Sequence, residues 1–119
     1  MKESAENYLE SIYVLSKKKP HVRSIDIVNL LEFSKPSVSV AMKKLKEDSY
    51  IKIDNDGFIT LTEKGMEKAT GIYERHTILT RTFEYLGVSE EMAKEDACKI
   101  EHYISEETFI AIKNFILDK

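Results

Sequence analysis

"YIKIDNDGFITLT", residues 50–62, alternates apolar and polar side chains on either side of Asn55-Asp56-Gly57. An Asp-Gly pair between β-forming residues is a strong hairpin signal, because glycine tolerates the positive φ of a tight turn. The stretch therefore reads as two short strands, and its place in the chain decides the fold, because three helical patterns precede it. Ser4 is a candidate cap for a first helix with the stripe Tyr8, Leu9, Ile12, Tyr13 and Leu15, which should stop before Pro20. Ser24 opens a short second helix with Ile25, Val28 and Leu31 inward. Ser34 caps a third, Pro36 fits its first turn where a missing N–H costs nothing, and Val38, Met42 and Leu45 form its core face. Three helices followed by a hairpin is the order of a winged helix-turn-helix, with the third helix entering the major groove and the hairpin as the wing.

Downstream the pattern is helical throughout. Thr62 starts a long helix in which Met66, Ala69, Ile72, Tyr73, His76, Leu79, Phe83 and Leu86 recur at three- and four-residue spacing, with Gly87 as its stop. Gly71 within it costs roughly 1 kcal/mol relative to alanine and marks a close approach or a bend. Ser89 caps a fifth helix running through Cys98 to about Tyr103, and Ser105 starts a sixth with Phe109, Ile112, Phe115 and Ile116 as its apolar side. The expected fold is mainly α: a winged-helix domain over residues 1–62 and a helical domain over 63–119. The downstream helices carry apolar faces that complete no core alone, which implies a homodimer.

Charge is distributed unevenly. Net charge is −3 over 119 residues, yet residues 17–46 carry eight basic side chains against two acidic ones, and residues from 51 onward carry nine against fourteen. A basic N-terminal part followed by an acidic part suggests a DNA-facing module joined to something else. On the third helix Lys35, Pro36, Ser37 and Ser39 are the candidates for reading base edges, while Lys43 and Lys44 suit phosphates, which position without specifying. No stretch approaches the roughly 18 apolar residues of a membrane span, and no basic-then-apolar leader opens the chain, so the expectation is a cytoplasmic protein with no membrane partner.

"DACKIEHYIS", residues 96–105, concentrates metal-capable side chains: Cys98, Glu101 and His102 fall at i, i+3 and i+4, one face of a helix. Asn7 and Glu10 share a face of the first helix, and His76 points inward from the long one. Mixed N, O and S donors suit Fe(II), Co(II), Ni(II) or Zn(II), whereas oxygen plus imidazole suits Mn(II) better. The only cysteine cannot form an internal disulfide, so Cys98 is a buried hydrophobe, a thiolate ligand or a nucleophile. An enzyme using Cys98 and His102 lacks an oxyanion loop and an orienting third residue. His21, beside Pro20 in a polar turn, reads as structural or solvent-facing.

Four segments together, "ENYLESIYVL" (6–15), "SKPSVSVAMKKL" (34–45), "ITLTEKG" (59–65) and "DACKIEHYIS" with "RHTIL" (75–79), resemble the diphtheria toxin repressor and MntR family of metal-dependent transcriptional repressors. The resemblance spans nearly the whole chain in order. It implies a homodimer with an N-terminal winged helix and a helical dimerisation domain, binding Fe(II) or Mn(II) and then palindromic operators of metal-uptake genes. The family's metal motif falls on Cys98, Glu101 and His102, and its N-terminal motif position on Asn7. The manganese branch has glutamate in place of Cys98, so the cysteine resembles the iron branch. The manganese branch's second site maps onto Glu10 and His76. The iron branch's ancillary site departs, with Thr80 and Lys94 at its glutamate and histidine positions. The expectation is a metal-activated repressor, not an enzyme, that takes Fe(II) first and Mn(II) next, with Zn(II), Co(II) or Ni(II) able to substitute. The competing reading is a winged-helix regulator without metal sensing, in which Cys98 is structural or redox-active.

Overall fold

The computed structural model describes residues 2–119 and divides into two compact units, Met1–Thr70 and Gly71–Lys119. The order is α1 (Glu3–Lys18), α2 (Ser24–Leu31), α3 (Lys35–Glu47), β1 (Ile51–Ile53), β2 (Ile59–Leu61), α4 (Glu63–Tyr85), α5 (Glu90–Ile100) and α6 (Glu106–Leu117). The predominantly helical winged-helix class expected from the sequence is the one observed. The division between the units falls within α4.

In the first unit, Tyr8, Leu9 and Ile12 of α1, Ile27 of α2, Val38, Met42 and Leu45 of α3, Ile51 and Ile59 of the hairpin and Ala69 of α4 form one buried cluster. Ser34 caps α3 as expected, accepting the Ser37 N–H at 3.2 Å, with Pro36 in the first turn. Three local expectations are corrected. Helix α1 begins at Glu3, before Ser4, and its cap residue Lys2 makes no side-chain bond. The cap position of α2 is Arg23 rather than Ser24, and its N–H is taken by the Asp26 carboxylate at 2.8 Å. Ile25 is exposed while Ile27 is fully buried. Two residues two apart lie on nearly opposite sides of a helix, so only one of them faces the core.

The hairpin pairs Ile51 with Leu61 and Ile53 with Ile59. Its turn is closed by Gly57 at φ +81° and by Asp54, whose Oδ1 accepts the N–H groups of Asp56 and Phe58, each at 2.9 Å. The Ile59 N–H also donates to the Val22 carbonyl at 2.7 Å, tying the wing to the strand-like segment before α2. His21 stacks on Phe58 at 4.2 Å, which gives it the structural place expected of it. Thr62 caps α4, accepting the Gly65 N–H at 3.0 Å.

In the second unit Ile78, Phe109 and Ile116 form a small buried cluster with Ile104 and Ile112 beside it. Gly87 ends the α4 segment at φ +101° as expected, and Ser89 and Ser105 cap α5 and α6. Met66, Leu86 and Phe115, assigned inward from spacing, are exposed instead. Gly71 marks no close approach, since a Cβ there would meet nothing within 4 Å. Helix α5 ends at Ile100, short of the expected Tyr103. No helix among the described residues is long and apolar enough to cross a membrane.

Candidate metal centre and nucleic-acid interface

Ala93 and Ala97 are fully buried on α5, and Glu101 follows at the same four-residue spacing. Glu101 is the residue just past the last helical one, with φ −58° and ψ −25°, and its N–H still donates to the Ala97 carbonyl at 3.0 Å. The inward stripe therefore ends in a carboxylate, and Glu101 is 1% exposed. Cys98, one position past Ala97, is exposed. The three-residue motif thus does not sit on one helical face: its cysteine is on the outer side of α5, and its glutamate and histidine are in the turn beyond.

Two imidazoles flank the carboxylate. His76 of α4 places Nδ1 3.0 Å from Glu101 Oε2. His102 places Nε2 3.4 Å from Oε1, and its side chain is almost wholly enclosed. That second pair lies within ion-pair distance but lacks hydrogen-bond geometry, so Glu101 Oε1 has no hydrogen-bond partner among the described residues. A buried carboxylate oxygen left unsatisfied is costly, and such an atom calls for a water or an ion to meet it. One carboxylate and two imidazoles are donors that a first-row divalent cation accepts, so the residues present fit a metal. In the first unit, Asn7 and Glu10 are both half-buried on α1, and the Asn7 carbonyl accepts the Ser11 hydroxyl at 2.8 Å. Thr80, at the position where the iron branch has glutamate, is buried and supplies no charge.

The other surface is the outer side of α3. Lys35, Pro36, Ser37, Ser39, Lys43 and Lys44 are all exposed there. The Ser34 hydroxyl donates to Ser37 Oγ at 2.8 Å, which orients the Ser37 hydroxyl at the start of the helix. Lys44 lies 3.6 Å from Asp48, an exposed i, i+4 pair of little energetic weight. Sorting α3 by polarity overlooked Val40. It is 70% exposed, three residues after Ser37 and four before Lys44, and so in the middle of the same face. A bare β-branched side chain in that position is suited to meet a thymine methyl group.

Comparison with known proteins identifies both domains. Residues 1–57 match the model of the iron dependent repressor N-terminal DNA binding domain, and residues 62–118 that of the iron dependent repressor metal binding and dimerisation domain. An uncharacterised HTH-type transcriptional regulator of Methanocaldococcus jannaschii is 37% identical over 118 residues, covering 98% of this chain and 94% of that one. The HTH-type transcriptional regulator MntR of Geobacillus kaustophilus is 34% identical over 102 residues, covering 86% of this chain and 72% of its own. Among solved structures, the manganese regulator SloR superposes with a TM-score of 0.82 at 26% identity over 95% of this chain. IdeR of T. acidophilum superposes with a TM-score of 0.78 at 27% identity over 90%. The chain spans about half the length of these two structures, 53% and 51%. By fold and sequence, the chain belongs to the diphtheria toxin repressor/MntR family of metal-dependent transcriptional repressors, which are DNA-binding regulators and not enzymes.

Proposed function

We propose that this chain represses genes of iron or manganese homeostasis by binding a palindromic operator as a homodimer when Fe(II) or Mn(II) is bound. The observation that carries the reading is the buried Glu101 carboxylate between His76 and His102, with one oxygen lacking a hydrogen-bond partner among the described residues. When bound, the cation supplies the positive countercharge for this carboxylate. Cys98, and Asn7 and Glu10 on α1, are the further ligands of the proposal. Ligands drawn from α1 would make metal affinity depend on how the DNA-binding unit is held, so the metal would bias a pre-existing equilibrium toward the state that fits DNA. Fe(II) is supported by the thiol of Cys98, and Mn(II) by the oxygen and nitrogen character of the enclosed donors and by the names of the MntR and SloR relatives.

On the DNA side, α3 enters the major groove, with Lys35, Pro36, Ser37 and Ser39 near its N-terminus reading bases and Lys43 and Lys44 on phosphates. In a dimer two such helices meet successive grooves about 34 Å apart. The exposed apolar residues Tyr85, Leu86, Val88 and Phe115 of the second unit support a self-associating face. A cytoplasmic location follows from action on operator DNA. The test is an anaerobic titration of Fe(II), Mn(II), Zn(II) and Co(II) with operator binding as readout. Affinity for a palindromic operator that rises at least tenfold with Fe(II) or Mn(II) is expected, and DNA binding indifferent to metal and to chelator would overturn the proposal.

A further inference from the structure

We propose that Arg75 is a positioning residue that holds the turn 101–104 in the shape that presents Glu101 and His102 to the metal; the inference rests on the metal reading above. Arg75 immediately precedes His76 on α4. Its Nη1 donates to the Glu101 carbonyl at 3.3 Å and to the Ile104 carbonyl at 2.6 Å, and its Nη2 to Glu106 Oε2 at 2.8 Å. The guanidinium also lies 5.3 Å from the Phe109 ring centroid. Consecutive residues of one helix thus grip the same turn, His76 through the Glu101 side chain and Arg75 through its backbone.

The turn needs an external brace. Helix α5 has ended, and the N–H groups of Tyr103 and Ile104 both converge on the Ile100 carbonyl. One nitrogen of the planar guanidinium reaches both the Glu101 and Ile104 carbonyls, and the other fixes its plane by donating to Glu106. The Glu106 carboxylate is largely exposed, so the ion pair itself adds little, and the two carbonyl bonds carry the role. Outer partners of this kind orient metal ligands, and their loss typically weakens metal binding by about 10–100-fold.

The sign of the effect separates positioning from charge. A guanidinium near a metal site repels the incoming cation, so a purely electrostatic role predicts tighter binding once Arg75 is neutralised. Positioning predicts weaker binding.

The experiment titrates the full chain with Co(II) alone, anaerobically. It follows the visible cobalt bands, and in parallel the far-ultraviolet dichroism and thermal unfolding of the metal-free protein. Arg75→Met is expected to bind Co(II) about 10–100-fold more weakly and with altered band shape, while Glu106→Gln stays within about twofold of wild type. If Arg75→Met does not fold, Arg75→Lys decides. It keeps the charge and loses the fork, and is expected to show weakened binding with unchanged dichroism. Wild-type affinity in a folded Arg75→Met, or in Arg75→Lys where Met does not fold, overturns the role of Arg75 alone, provided Glu101→Gln has lost Co(II). A Glu101→Gln variant that binds Co(II) like wild type overturns the metal reading and this inference with it.

Discussion

His76 Nδ1 and Glu101 Oε2 stand 3.0 Å apart although 25 residues separate them in sequence. The contact brings the middle of α4 to the end of α5 and leaves the other Glu101 oxygen buried without a hydrogen-bond partner among the described residues. Such an arrangement serves binding at the expense of stability. Glu101→Gln keeps the volume and removes the charge. The metal-free variant is therefore expected to unfold at a temperature no lower than the wild type. It should lose the stabilisation that metal gives the wild type, about 2.7 kcal/mol at a free metal concentration 100 times Kd. Thermal unfolding with and without Mn(II) or Co(II) checks both halves, and equal stabilisation of the two proteins would count against Glu101 as a ligand.

On α3 the polar and apolar residues of one face should fail differently. Lys43→Ala is expected to weaken cognate and random duplex alike and to lower the slope of log K against log salt by about one. Val40→Ala should leave that slope unchanged and reduce preference for thymine at one position, by about 1 kcal/mol or more. Binding isotherms at several salt concentrations on operator variants measure both. A changed base preference in Lys43→Ala with an unchanged slope would reverse the roles.

Much of the fold was legible because its signals are local. Ser34, Ser89 and Ser105 cap the helices they were expected to cap, and Gly57 and Gly87 adopt the positive φ that their positions required. What misled was choosing faces from spacing alone. Ile25 and Ile27 compete for one interior, and only docking against α1 and α3 selects between them. Met66, Leu86 and Phe115 fit an inward period yet are exposed, because an apolar stripe is buried only where a neighbouring element packs against it. At the candidate site, the i, i+3, i+4 reading put Cys98, Glu101 and His102 on one helical face. The helix stops at Ile100, and Glu101 instead continues the Ala93–Ala97 stripe. The pairing of Glu101 with His76 has no local signature, and neither does the grip of Arg75 on the turn.

Glycine illustrates the same limit. Gly71 looked like a point of close approach and is open, whereas Gly65 passed unremarked and is pressed against the Tyr50 carbonyl, with Leu61 Cδ2 3.3 Å from where a Cβ would stand. A backbone oxygen held by the Thr62 N–H cannot move aside. Gly65→Ala should destabilise by about 1–3 kcal/mol or more, as overpacking does, and Gly71→Ala should stabilise by about 0.5–1 kcal/mol through helix propensity. Urea unfolding of the two variants decides, and a stable Gly65→Ala would contradict the packing of α4 against the end of α3.

Acid removes a contribution that Asp26 makes to stability. The hydrogen bond from Lys19 Nζ, at 2.6 Å, and that from the Arg23 N–H hold its carboxyl below the ordinary value of 3.8. A depressed carboxylate stabilises the fold fully above its unfolded value, and that contribution is lost as pH falls through the lower folded value. Asp26→Asn should therefore be less stable at neutral pH, by no more than about 1 kcal/mol given the exposure of Lys19. The difference from wild type should shrink as pH falls below 3.8 and vanish once it has passed the lower folded value. A difference that is constant across that range would mean that packing, not charge, makes the contribution.

In the proposed site, the choice of metal turns on Cys98. Its thiol is exposed on α5, while the carboxylate of Glu101 and the imidazole of His102 are enclosed. The enclosed donors alone make a hard-to-borderline set, and a thiolate added to them shifts preference toward Fe(II), Co(II) and Zn(II). Co(II) reports this directly, because cobalt–thiolate bonds give a near-ultraviolet charge-transfer band that nitrogen and oxygen donors do not. The wild type is expected to show that band and Cys98→Ser to lack it. Cys98→Glu, which installs the manganese branch's residue, should shift activation of operator binding toward Mn(II) and weaken Co(II) and Zn(II). His102→Ala should weaken every metal in either background, since imidazole serves both kinds of site. An exposed side chain with no role in binding makes the opposite forecast: Cys98→Ala would keep the full metal response and the same metal ranking. That result would remove Cys98 from the ligand set and leave Glu10, His76, Glu101 and His102 as the proposed ligands.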